Sequence, residues 1–529
     1  MRTRFARICV LGFALVATPF FAQPAAQNAS PPAPPTSAAA TPASANQPLR
    51  FVVTFPDTAR AAPASGRLLL FLAQGSATEP RRASFTKLGP VYAIDVKDLK
   101  PGEPVTFSPA NFSAPDALAF PLPLGRLTPG AYQAQAVLDL DTTERDYNAG
   151  PGNLYSRPQT CELRGTRGGT INVVADQVVG PLSVRADTET VKLVELPSKL
   201  LSDFHGRPIF LRGGVILPST YATEPARRYA VIYQVPGFGG RHTSAWAPAA
   251  GAAGQRGPTG ETPLQAIRVV LDPSCPLGHH VFANSANNGP VGDALVTEFI
   301  PEIERRFRAV PAAGARFVTG HSSGGWSSLW LQVTYPDTFG GCWSTSPDPV
   351  DFRAFQTMNL YADKNGCWTP FGQPRAVMRS RLKAEVTFPE LQLWEYVIGY
   401  GSQLDSFDAV FSPRGADGRP LQVMDKLSGA INPAVVEHWK RYDIRLVLEK
   451  NWRTLGPKLR GKLHVMTGTW DTYYLNPAVE LLRDFLQTTD YGGYVELLPG
   501  DHGTAITAAV RRRIDAEMAA AFAKFEARH

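Results

Sequence analysis

The residues most capable of chemistry in this 529-residue chain stand together as Gly320-His321-Ser322-Ser323-Gly324. A serine in a G-x-S-x-G run can be presented on a tight strand-to-helix turn, where small neighbours leave room for a strained backbone. Its hydroxyl is a weak nucleophile at neutral pH, so it needs a base to take its proton and an acid to orient that base. In one common chain order the acid and then the base follow the serine. Four histidines lie after Ser322: His438, His464, His502 and His529. His502 follows the apolar run GYVELLPG, in a loop at a strand's carboxyl end, where a base belongs. His464 falls inside a strand, His438 on a helix, and His529 is the last residue. The acid is expected after the preceding strand, KLHVMTG, at Asp471. Asp348 and Asp351 are the second choice, and Asp501 reads as a loop carboxylate.

An oxyanion formed at the attacked carbonyl needs backbone donors. One is expected from Ser323, next to the nucleophile. The other is expected from the glycine loop Pro236-Gly237-Phe238-Gly239-Gly240, at Phe238 or Gly239. Arg241 and Trp246 follow this loop, while Trp326, Trp470 and Tyr473 flank the expected catalytic residues; these five are the substrate-binding candidates. No spacing of Cys and His suggests structural zinc, and this chemistry asks for no cofactor.

Positioning such residues takes strands that end at one edge of a sheet. RRYAVIYQV, AIRVVL, ARFVTG, KLHVMTG and GYVELLPG are apolar, β-branched runs of the kind covered on both faces. Amphipathic helices alternate with them, one over 292–308 with Leu295, Phe299, Ile303 and Phe307 on one side, another opening at Asn476-Pro477. The alternation predicts a doubly wound, mostly parallel α/β domain over 181–529, an α/β-hydrolase fold when read with the serine motif, with an insertion at about 352–455. Residues 48–180 differ. Short β-type runs such as LRFVVTF, GRLLLFLA and GAYQAQAVLDL, parted by Pro/Gly turns, predict a β-sandwich-like accessory domain.

The N-terminus reads as an address. MRTRFAR is basic, Ile8 to Ala22 is apolar, and about fifteen residues suit a signal peptide (1–22) better than a membrane span of roughly 20. Residues 23–47, almost entirely Ala, Pro, Ser, Thr, Asn and Gln, form an expected disordered linker. Export to the periplasm or the exterior follows, with no integral membrane segment after cleavage. Three of the positive charges behind the net +7 (Arg2, Arg4, Arg7) belong to that leader, and no dense basic patch remains to bind nucleic acid. Cys161, Cys275, Cys342 and Cys367 remain after Cys9. In an exported protein they could pair, with Cys342–Cys367 preferred and Cys161–Cys275 second, or stay as buried thiols.

Residues 195–529 resemble the putative-esterase family of α/β-hydrolases, which includes esterase D, enterochelin esterase, feruloyl esterase and the mycolyltransferases. The resemblance lies in the loop VPGFGG, the segment NGPVGDALVTEFIPEIERRF, the elbow GHSSGG, WSTSPDPVDF, GTWDTYYL and GDHGT. It implies Ser322, Asp471 and His502 as a triad, the same oxyanion loop, and hydrolysis of a small-molecule or carbohydrate-linked ester. Acyl transfer through the same triad is the nearest alternative, and a non-catalytic binding protein on a hydrolase fold the remote one. The insertion and the N-terminal β region are not part of a minimal member.

Overall fold

Eight strands form the central sheet: β1 (Val191–Pro197), β2 (Phe210–Ile216), β3 (Ala230–Val235), β4 (Ala266–Leu271), β5 (Arg316–His321), β6 (Gly341–Thr345), β7 (Leu463–Gly468) and β8 (Tyr494–Leu498). Their order is β1-β2-β4-β3-β5-β6-β7-β8. β2 runs antiparallel to both neighbours, and β3 to β8 are mutually parallel. This is the α/β-hydrolase arrangement, described in a computed structural model over residues 47–75, 79–183, 185–247, 264–380 and 383–528. The expected signal peptide, nearly all of the expected linker, and His529 lie outside the described residues. Among the described residues no helix is long and apolar enough to cross a membrane.

The parallel strands read as continuous apolar runs because both faces are covered. On β3, Val231, Tyr233 and Val235 face one core, while Ala230 and Ile232 face another under the C-terminal helix Ala508–Glu526. β1 and β2 escaped the sequence reading. β2 carries Gly213 and Gly214 at its centre, and its periodicity is weak. A Cβ at Gly213 would stand 2.8 Å from the Phe299 ring, and one at Gly214 would stand 2.4 Å from the Ala245 methyl. The glycines let neighbours press onto the strand. The helix expected over 292–308 forms at Val291–Arg306 with a π turn at Leu295–Phe299, and Leu295, Phe299 and Ile303 are buried.

Residues 47–183 form two sheets. The larger has seven strands built on Ala64–Gln74, Val91–Leu99 and Gly130–Asp139. The smaller sets Arg50–Thr54 between Val105–Phe107 and Thr170–Val174. In LLLFL the alternation has two apolar sides. Leu68, Leu70 and Leu72 fill the core between the sheets, while Leu69 and Phe71 join the core of the α/β part. At roughly 1.5–3 kcal/mol per buried Leu or Phe side chain, this shared core binds the two parts firmly. Arg67 adds polar support: paired with Asp95, it donates to the carbonyls of Tyr396 and Val397.

The inserted region supplies α2 (Phe388–Ile398) and α3 (Gln403–Phe411); α1 (Ser323–Thr334) belongs to the main fold. Between α2 and α3 lies a buried ionic cluster. Lys426, 7% exposed, pairs with Asp405 and stands 3.7 Å from Glu395, and Glu395 accepts from the N–H groups of Leu404 and Asp405 at the start of α3. Burial pushes the Asp408 carboxyl up to about 7 and raises Glu395 as well. Both folded-state values lie above the unfolded ones. Their stabilising contribution is therefore full below about pH 4 and is lost as pH rises through about 7. Lys426→Met leaves these carboxylates without their cation. It is expected to cost about 3–5 kcal/mol at pH 8, with a smaller loss at pH 5.5 where protons neutralise the cluster; urea unfolding at the two pH values measures both.

Candidate active site

Ser322 sits between β5 and α1 with φ 60° and ψ −126°, a left-handed conformation that costs a non-glycine residue on the order of 1–3 kcal/mol. Its neighbours explain why the turn holds. A Cβ at Gly320 would stand 2.1 Å from the Gly324 carbonyl oxygen, and one at Gly324 would stand 2.0 Å from the Val235 carbonyl oxygen at the end of β3. The two strand ends can touch only if both positions are glycine. Ser322 N–H donates to the Thr345 carbonyl (3.0 Å), fixing the turn to β6.

The loops that carry Asp471 and His502 are also stitched together by backbone hydrogen bonds. Thr469 N–H donates to the Leu498 carbonyl (2.8 Å) and Trp470 N–H to the Gly500 carbonyl (3.0 Å). Asp471 and His502 are thereby brought into register. Asp471 is fully buried; its Oδ2 faces His502 Nδ1 at 2.7 Å, and its Oδ1 accepts from Tyr473 N–H at 2.9 Å. A proton on Nδ1 directed at the carboxylate leaves Nε2 as the basic nitrogen. The ring of His321 lies 4.5 Å from that of His502, and burial lowers its pKa to about 4, so it brings no positive charge to the pair.

The oxyanion candidates lie on the other side of Ser322. Gly237 and Phe238 line the same cavity as Ser322 and His502. Among the described residues, the N–H groups of Phe238, Gly239 and Ser323 donate no hydrogen bond. The loop is held from behind by His279, whose Nε2 lies 3.1 Å from the Pro236 carbonyl. Burial lowers the His279 pKa to about 3, which keeps it neutral. Nothing in its sequence neighbourhood marked it as a support.

The cavity measures about 250 Å³. Its apolar wall comes from the insertion, through Val377, Leu391, Leu404 and Phe407, and from Leu475. Phe85 reaches it from the β region, its ring 5.6 Å from Phe238 and 6.3 Å from Tyr473. No serine-hydrolase motif could have pointed to Phe85. Asp348 is also in the wall. It is buried, its Oδ2 lacks a hydrogen-bond partner, and burial raises its carboxyl to about 6. Asp351 is engaged elsewhere, between Arg353 and Arg445.

Of the five substrate-binding candidates, only Tyr473 lines the cavity, its ring 4.8 Å from His502. Arg241 is turned away and paired with Glu144 of the β region. Trp246 donates to the Ala186 carbonyl and packs with Val191 and Val270. Trp326 is core, stacked 5.2 Å from Trp330. Trp470 is 51% exposed beneath the Arg379 guanidinium. The four cysteines are free thiols, which corrects both expected pairings. Cys342 is buried on β6, Cys367 lies in the insertion core, Cys161 packs between the two N-terminal sheets, and Cys275 faces Asn288 Oδ1 at 3.6 Å.

Gly324→Ala tests the elbow. The added methyl meets strand backbone that cannot yield, so a loss of about 3 kcal/mol or more in urea unfolding is expected. Gly180→Ala, where an added Cβ meets nothing, should stay within about 0.5 kcal/mol of the parent.

Residues 211–387 match the model of a family described as "Putative esterase". No curated protein matches the chain. Among solved structures, it is similar to a ferulic acid esterase with 13% identity and a TM-score of 0.39, covering 63% of this chain and 97% of that one. It is also similar to an S-formylglutathione hydrolase from Agrobacterium tumefaciens, with 14% identity, a TM-score of 0.38, and 64% and 99% covered. A third is a ferulic acid esterase from Anaeromyces mucronatus, with 14% identity, a TM-score of 0.33, and 64% and 94% covered. The matched segment runs from β2 through the glycine loop and the serine elbow into the insertion.

Proposed function

We propose that this protein is an exported serine esterase that hydrolyses a carboxylic ester through Ser322, His502 and Asp471. The observation that carries the reading is the 2.7 Å contact of His502 with the buried Asp471, in a cavity shared with a serine on a strained elbow. Ser322 Oγ attacks the ester carbonyl while His502 Nε2 takes its proton. The oxyanion is received by the idle N–H groups of Ser323 and of Phe238 or Gly239. The tetrahedral intermediate expels the alcohol, which leaves with the proton from His502. Water, deprotonated by the same nitrogen, then releases the acid and restores Ser322. Asp471 holds the tautomer and stabilises the imidazolium without taking the proton. Export rests on the basic and apolar leader alone.

Wild type is expected to label with a fluorophosphonate probe and to turn over a short p-nitrophenyl ester, and Ser322→Ala to do neither. Asp471→Asn should lower kcat by about 10³–10⁴-fold, whereas Asp348→Asn should cost less than about tenfold; the reverse ranking would make Asp348 the orienting acid. Product analysis with and without an added hydroxyl acceptor separates hydrolysis from acyl transfer. For export, the mature protein should begin at Gln23, and mass spectrometry finding Met1 on the exported form would overturn the cleavage.

A further inference from the structure

Behind Phe238 the catalytic cavity meets a second chamber of about 350 Å³, with Phe85 and Phe238 in the wall of both. The chamber lies between the β region and the insertion, and its character is polar. Arg82, Asp139, Arg145 and Asp146 line it, with Trp394 and Tyr400 opposite. Most of these charges are engaged. Asp139 accepts from Asn153 (2.7 Å), Asp146 accepts from the Asn148 N–H (2.9 Å), and Arg82 stands 3.3 Å from Glu79. Arg145 is the exception. Among the described residues no carboxylate comes within salt-bridge distance of its guanidinium, and its one close partner is the face of the Phe238 ring, 4.9 Å away. Its backbone is pinned, since a Cβ at Gly401 would stand 2.7 Å from the Arg145 Cβ. The charged end reaches the oxyanion loop: a Cβ at Gly239 would stand 3.7 Å from Arg145 Nη2. A half-buried guanidinium with Arg241 as a like-charged neighbour is costly: its pKa is lowered by burial first and by that neighbour second, and the Asp146 and Glu144 carboxylates, beyond ion-pair distance, offset this only in part. A bound anion would offset that cost.

Building on the esterase reading above, we propose that this chamber receives the alcohol side of the ester and that Arg145 binds a carboxylate carried on that alcohol. The planar fork of a guanidinium matches a carboxylate with two parallel hydrogen bonds. The division of the site follows the chemistry. The acyl group stays bonded to Ser322 after the first step and suits the apolar wall of Leu391, Leu404 and Phe407. The alcohol departs first and suits a chamber open to water at Arg82 and Tyr400. The substrate class is therefore an ester of a hydroxy acid, cleaved at its hydroxyl oxygen.

The probes are 4-acetoxybenzoate, whose leaving group carries a carboxylate, and its neutral methyl ester. Their ratio of kcat/KM is measured for wild type, Arg145→Gln and Arg145→Lys, together with calorimetric binding of 4-hydroxybenzoate. The anionic-over-neutral ratio is expected to fall about 10- to 100-fold in Arg145→Gln, the scale of a lost charge-assisted bidentate contact. Arg145→Lys should recover part of it, and 4-hydroxybenzoate binding should weaken in parallel. An equal loss for both esters would reduce Arg145 to a prop for Phe238 and overturn the proposal, as would an unchanged ratio. Turnover of neither ester, with 4-hydroxybenzoate still bound through Arg145, would sink the esterase reading and keep the anion chamber.

Discussion

The close approach of β3 and β5 at their carboxyl ends governs this molecule. Where Gly324 lies against the Val235 carbonyl there is no room for a methyl group, and the chain can pass only by taking Ser322 through a left-handed turn. That strain is held by well-packed surroundings: α1 is buried along eleven of its twelve residues, and the Ser322 N–H is bonded to β6. Because the turn is fixed by backbone against backbone, the oxyanion loop after β3 must lie beside the serine. The candidate oxyanion donors and Ser322 thus share one steric cause.

A second constraint decides what surrounds the serine. The seven-stranded sheet of the N-terminal region is apolar on both faces, so it could not stand in water with one of them bare. Its outer face is buried against the α/β part, which brings Phe85, Glu144 and Arg145 to the oxyanion loop. The β region is thus a wall of the site. Its contribution runs through Phe238, which meets Phe85 edge-on, lies near His279 and carries Arg145 on its face.

Much of this was legible in the sequence where local physics sets the outcome. The parallel strands announce themselves by apolar runs, and the elbow by its glycines. His502 and Asp471 follow from chain order and from the strand that precedes each. What stayed hidden depends on contacts between distant segments. β2 was missed because its Gly213 and Gly214 serve a packing contact with Phe299 and Ala245 and dilute the strand pattern, and its antiparallel partner β1 was missed with it. The aromatic candidates failed for a related reason. Trp326 lies four residues after Ser322 in sequence, yet a helix turns that position into the core. Cysteine spacing could not foresee that Cys342 would lie buried on a central strand and Cys367 in the insertion core, both as free thiols.

Two further imidazoles near the serine are kept neutral by burial. His279 and His321 lie close by, but burial holds both well below the ordinary histidine range. Asp471 is buried as well, yet it remains useful because its two oxygens are engaged, one by His502 and the other by backbone N–H groups. At Asp348 one oxygen, Oδ2, has no hydrogen-bond partner, and burial pushes the carboxyl up to about 6 in spite of the Ser323 hydroxyl beside it. Two buried carboxylates at the ends of neighbouring strands thus differ in their hydrogen-bond partners. Of the two, only Asp471 has both oxygens engaged and a contact with His502, which is the arrangement that the proposed triad requires.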